Sequence, residues 1–288
     1  MPRKRTQTYD IYRYQILPTT SSFQMTLFDD RAPKTREEAV ARKNEYFEEC
    51  ISELPEMTHQ GHTIANKTIA QSDEFTVLLL GIQKDIERVT KELTPERIES
   101  YPTVTLAIDN RSDAQLMGVS RNTKAFSGTS VVIHVLEREM NKLLKSFNLA
   151  VHFESLFDVS DFWDIVQEHR TKIQAVKFEL ISPNMANISG SLEVDLTALN
   201  KASNSHRTDL ELNSPPDGAL EIDKENSTIS SLADYAANGG GDISVKIRGL
   251  SKRLRTSQST KNVEVDELNL EGDPKLVLEI LRSGLSAG

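Results

Sequence analysis

The chain has 288 residues, 38% hydrophobic and 27% charged, enough apolar material for one large core or two ordinary ones, which excludes a disordered or fibrous chain. Its formal net charge of -9 excludes indiscriminate binding to nucleic acid or anionic membrane, so any phosphate contact has to be local. The lone cysteine, Cys50, excludes an intrachain disulfide and suits a reducing cytoplasm, and apolar runs such as Val77 to Ile82 fall far short of the roughly 20 residues of a membrane-spanning helix.

Tyr9 to Leu17, aromatic and branched up to Pro18, reads as an opening strand. Thr35 and Glu38 form a capping-box pattern, and Val40, Phe47, Ile51 and Leu54 recur at helical spacing until Pro55, which predicts one helix of about five turns. Cys50 falls among those apolar positions and reads as a small buried hydrophobe. Glu74 to Ile82 suits a buried strand. Ile86 and Val89 then suggest a short helix, and Thr94-Pro95 the cap and first turn of another. Val104, Leu106 and Ile108 alternate as a strand, Asp109 to Asp113 is turn chemistry, and Leu116 to Val119 returns as a second strand. The clearest helix is Thr129 to Phe147, with Ile133, Leu136, Met140, Leu143 and Phe147 in one stripe. Leu149, Val151 and Phe153 form a strand with His152 on its polar face. Ser160 opens a helix whose Asp161 and Asp164 suit the dipole, and Val176, Phe178 and Leu180 alternate again.

Composition shifts after Pro183. Leu192, Leu196 and Leu199 suggest a helix, Pro215-Pro216-Asp217-Gly218 a turn, and Ile229, Leu232 and Ala236 a short helix ended by Gly239-Gly240-Gly241. Strands Ile243 to Arg248 and Val263 to Leu270 follow, then a terminal helix from Pro274. With no regular βαβ rhythm and several short turns, the pattern predicts an α+β fold of mixed, mostly antiparallel sheets with packed helices, divided into units 1–182 and 183–288.

The window Ile243 to Val263 carries Lys246, Arg248, Lys252, Arg253, Arg255 and Lys261 and no acid. Cations interleaved with serine, threonine and glutamine suit the backbone of duplex DNA, and the lack of aromatics argues against stacking on single strands. If the flanking strands pair as a hairpin, Glu264 and Asp266 lie opposite Lys246 and Arg248 and neutralise them, leaving the loop as the binding surface. A second anion site is suggested by Arg121 and Lys124 ahead of Ser127 and Thr129 at a helix start, where an ordinary N-cap is the alternative.

No metal site or cofactor is predicted: His59 and His62 lack a matching second pair, and there is no P-loop and no Gly-x-Ser-x-Gly. Asp217, Glu221, Asp223 and Lys224 approximate the carboxylate and lysine pattern of metal-dependent nucleases, but Lys224 falls one place late.

From Asp73 to Leu180 the order of elements, with Glu99-Ser100-Tyr101-Pro102 before a strand pair and a helix after Thr129, resembles the RexA family of phage exclusion proteins. The chain is also similar to uncharacterised bacterial proteins associated with phage defence. The resemblance implies a cytoplasmic, homodimeric, DNA-binding sensor in antiviral defence that works with a membrane effector protein, and it transfers no binding residue. The expectation is a non-enzymatic bacterial DNA-binding or sensor component without membrane insertion. The alternatives are a regulatory subunit whose basic loop docks an acidic protein, and a metal-dependent nuclease.

Overall fold

β1 (Thr6–Pro18) is the axis of the molecule. The computed structural model describes residues 6–19, 32–72, 74–182, 198, 202–266 and 274–287. After β1 come two helices, α1 (Arg36–Ala41) and α2 (Lys43–Ser52), where the sequence predicts one. The break is at Arg42, whose backbone leaves the helical region at φ -105°, ψ 11°. The predicted cap is present: Thr35 Oγ1 accepts from the Glu38 N–H at 3.1 Å, while the Glu38 carboxylate reaches back to the Lys34 N–H at 2.8 Å.

β2 (Met57–His59) and β3 (His62–Ser72) form a hairpin that the sequence reading does not contain. Gln60 and Gly61 turn it with φ of 49° and 82°. β3 is half polar, so its alternation is faint. β4 (Phe75–Ile82) is the predicted buried strand. The two short helices expected next are instead a ribbon, β5 (Lys84–Val89) against β6 (Pro95–Ser100). Ile86 lies across from Ile98, and Thr90 and Thr94 close the turn through backbone and hydroxyl bonds. The three-residue spacing of Ile86 and Val89 imitates a helix that the β-branched side chains and the tight turn do not support.

β7 (Thr103–Asp109), β8 (Leu116–Ser120), α3 (Thr129–Leu144), β9 (Leu149–Ser155), α4 (Val159–Glu168) and β10 (Ile173–Ile181) match the predicted elements, although Asp158 rather than Ser160 caps α4. β11 (Arg207–Asn213), α5 (Ser227–Tyr235), β12 (Gly241–Ile247), the short β13 (Leu254–Arg255), β14 (Asn262–Asp266) and α6 (Pro274–Ala287) complete the described chain. Leu192, Leu196 and Leu199, which suggested a helix, and the chain from 267 to 270 lie outside the described residues.

All pairings are antiparallel, and the fold is α+β. The large sheet runs β14-β1-β8-β7-β4-β3-β2, with β9 also on β1. α2 and α3 cover one face over Tyr14, Ile16, Leu78 and Leu106, and α6 covers the other over Tyr9, Ile11 and Val77. The small sheet runs β11-β10-β12-β13, and its core of Phe178, Leu180, Ile243 and Val245 packs on α4 and α5.

The hairpin expected between Ile243–Arg248 and Val263–Leu270 does not form. β12 pairs with β10 and β13, while β14 pairs with β1. β12 is buried along nearly all its length and requires an apolar neighbour, and Val176, Phe178 and Leu180 of β10 supply it in register. The second core draws on residues from Phe157 onward and the chain then returns to the large sheet, so the small unit is inserted between β9 and β14 rather than starting at 183. Gly241 closes its root: at φ 157° a Cβ there would lie 2.1 Å from the Glu179 carbonyl oxygen, a contact no side chain permits.

Candidate functional site

The six cations of the basic window do not share a surface. Arg253 pairs with Glu211, and Arg255 with Asp242 at 2.8 Å and Glu179 at 3.0 Å. These pairs belong to a network on the outer face of the small sheet, where Lys177 also bridges Glu179 and Asp209. Glu264, expected opposite Lys246, lies across from Thr8, and Asp266, expected opposite Arg248, across from Thr6. Lys261 sits at the junction of β1, β9 and β14, bonded through its backbone to Leu156 and Ile11 and facing Asp158 electrostatically.

Lys246, Arg248 and Lys252 remain together at the turn between β12 and β13. Lys246 Nζ donates to the carbonyls of Leu250 and Ser251, and Arg248 to that of Gly218. The Arg248 N–H binds the Lys172 carbonyl, which brings exposed Lys172 and Arg170 to the same end. Among the described residues none of these five cations forms an ion pair with a carboxylate.

The opposite end of the small sheet meets the large one across a cavity of about 960 Å³. Its walls come from β1 (Asp10, Tyr12), the start of α3, the C-terminal end of β9 (His152 to Ser155), Arg207 of β11, and the segment from Asp242 to Thr260. Among the described residues β9 has one strand neighbour, β1. Further back its free edge is closed by α3, where Asn141 bonds both the N–H and the C=O of Val151.

Two ion pairs and one guanidinium–carboxyl contact lie in the wall. Asp10 accepts from Arg121 at 2.6 Å and from the Thr129 hydroxyl at 2.6 Å, so the Tyr12 hydroxyl donates to Thr129 at 2.9 Å. Arg207 meets Glu154 at 3.2 Å across the two units. Asp242, 3% exposed, holds Arg255, both hydroxyls of Thr256 and Ser257, and the Ser257 N–H. Burial, with Asp242, Glu137 and Glu179 adding to it, outweighs Arg207 and pushes the Glu154 carboxyl up to about 8. Glu154 therefore holds its proton at neutral pH while its Oε1 accepts from Arg207.

His206 Nε2 faces the Pro18 carbonyl at 2.8 Å and must donate to it, and burial lowers the pKa of this ring so that it stays neutral. Its Nδ1 then accepts from His152 Nε2–H at 3.2 Å, and the other nitrogen of His152 faces Glu137 at 3.5 Å.

Of the suggested anion site, Arg121, Ser127 and Thr129 line this cavity, whereas Lys124 is exposed off its wall. Arg121 and Thr129 are both engaged by Asp10. The nuclease pattern lies in a loop: Asp217 holds φ 61° in the predicted turn, and the Asp223 side chain binds the N–H of Glu225. Among the described residues no cluster of three metal-ligating side chains is present, and no helix is long and apolar enough to cross a membrane. Cys50 is buried, and burial pushes its thiol up to about 12.

Sequence reasoning missed Asp10, Glu154, Arg207 and Asp242. The usable signal was a charged residue inside an otherwise apolar strand, as with Asp10 between Tyr9 and Ile11 or Glu154 after Phe153. No family model, no curated protein and no solved structure matches this chain.

Proposed function

We propose that this protein is a ligand-binding sensor whose cavity between the large sheet and the inserted unit takes a small polar molecule. The supporting observation is the origin of the walls: both sheets contribute charged and hydroxyl side chains to one space of drug-like size. A molecule bound there touches both units at once. Its contacts lie beside Arg207–Glu154 and His206–His152, two of the bonds that link them. Ligand binding is thereby coupled to the setting of one unit against the other.

The test is a thermal-shift screen of polar metabolites on wild type and on Ser130→Trp, whose exposed position on the wall lets an indole fill the cavity. A compound that stabilises wild type but not Ser130→Trp supports the reading, and a screen without any such compound removes it.

A second reading, contact with the backbone of duplex DNA, is favoured by the five unpaired cations Arg170, Lys172, Lys246, Arg248 and Lys252 at the far turn. It moves the interface away from Arg253 and Arg255. Affinity for a duplex of about 20 base pairs falls steeply with salt in this reading. Lys252→Glu and Arg248→Glu weaken binding while Arg253→Glu does not, and equal binding by all forms would discard it. A role in phage defence, a homodimer and an effector partner rest on the resemblance to the RexA family.

A further inference from the structure

We infer that the ligand of this cavity is an organic phosphate, anchored on Arg207 and drawn in by guanidinium groups of both units. The inference rests on the sensor reading and names its ligand class.

In each guanidinium–carboxyl contact of the wall the carboxyl is the buried member and the guanidinium the open one. The side chains of Arg121, Arg207 and Arg255 are 51%, 49% and 45% exposed, against 9%, 15% and 4% for Asp10, Glu154 and Asp242. The contacts also use only part of each guanidinium. Arg121 gives Nε and Nη2 to Asp10, Arg207 gives Nη2 to Glu154, and Arg255 gives Nη1 to Asp242 and Glu179. Among the described residues nothing binds Nη1 of Arg121, Nε and Nη1 of Arg207, or Nε and Nη2 of Arg255. Phosphate oxygens can take those N–H groups while every contact stays made.

Arg207 comes first because its partner is not an anion. Burial pushes the Glu154 carboxyl up to about 8, so at neutral pH the charge on Arg207 is left uncompensated by it. Strand register pairs Ile181 with Arg207, Glu179 with Asp242 and Ser244 with Arg255, which turns Arg207 and Arg255 to one face of the small sheet. The opposite wall offers Arg121 and the start of α3. There Gly128 has no side chain to cap the helix, and the first turn holds no acid, so its N–H groups favour an anion. The remaining acid on the wall, Glu137, faces His152 at 3.5 Å. At about 960 Å³ the space exceeds an inorganic ion, and Phe126, Ile133 and Phe153 give carbon surface to an organic part.

The experiment is calorimetric titration of the full chain with 5′-mononucleotides and sugar phosphates, each beside its phosphate-free parent, and with citrate as a tricarboxylate. At least one phosphate compound should bind about tenfold or more tightly than its parent. Arg207→Gln removes the charge but keeps a hydrogen bond to the protonated Glu154. It should weaken that compound about tenfold and leave the parent unchanged. Ser127→Glu adds a carboxylate at an exposed position of the wall without touching any of the three contacts, and should act in the same direction.

Phosphates that bind no more tightly than their parents overturn the inference and leave the sensor reading standing. Citrate binding where no phosphate binds does the same. A phosphate whose affinity ignores both variants overturns it as well, and a fall in Lys252→Glu then places that binding at the far turn. Binding of none of these compounds also overturns the inference, and the sensor reading then stands or falls on the wider screen with Ser130→Trp.

Discussion

The two ends of the small sheet treat positive charge in opposite ways. At the cavity end, Arg255 is clasped by Asp242 and Glu179, and Arg207 reaches across to Glu154. At the far end, among the described residues, Lys246 and Arg248 meet only backbone carbonyls, and Lys252, Lys172 and Arg170 face solvent. β12 leaves the cavity at Asp242 and reaches the far turn after Ile247. β13 then carries the chain back, so one basic stretch is divided between a neutralised end and an unneutralised one. A run of like charges in a sequence is therefore not a surface until the register says which cations share a side.

That contrast can be broken most forcefully at Asp242. Asp242→Ala strands the N–H of Ser257 and the hydroxyls of Thr256 and Ser257 and removes a partner of Arg255, and should cost about 3 kcal/mol in urea denaturation. A loss under about 1 kcal/mol would mean that the cavity end is no better organised than the far turn.

Glu154 sharpens the contrast through pH. The folded carboxyl holds its proton up to about 8, while the unfolded one releases it near the ordinary glutamate value of 4.5. The folded state thus binds the extra proton in that window, and its stability falls as pH rises from 4.5 to 8. Measured against Glu154→Gln by thermal unfolding, wild type should lose about 3.5 kcal/mol between pH 5 and pH 8. Parallel curves for the two proteins would show that this carboxyl ionises normally.

Arg253 is intermediate, since its pair with Glu211 is partly open to water. Arg253→Ala should cost about 0.5 kcal/mol, an effect that shrinks with added salt in denaturant titrations. Lys252→Ala should change stability least, by under about 0.5 kcal/mol in the same titrations. A larger loss there would reveal a partner for the ammonium and close the far end as a binding surface.

Much of the fold is legible in the residues. The stripe of α3, the alternation in β7, β9 and β10 and the apolar run of β4 each bury a face that any compact solution has to cover. The failures are instructive. β5 and β6 lie on the surface with few apolar positions, so Ile86 and Val89 carry no period of their own. β11 is exposed along most of its length and is held by pairing with β10, a partner more than twenty residues away in sequence.

The candidate site was less legible for a different reason. Arg121 and Thr129 stand close in the chain and suggested an anion, but their partner Asp10 lies more than a hundred residues earlier. The composition and periodicity of this sequence determine an α+β molecule with a substantial core and one local excess of positive charge, because burial of apolar faces is a property of short segments. Which cations are neutralised, and where a cavity opens, was decided only when β12 chose β10 and β14 chose β1. Electrostatic pairing depends on distances that strand register sets and that nearness along the chain does not.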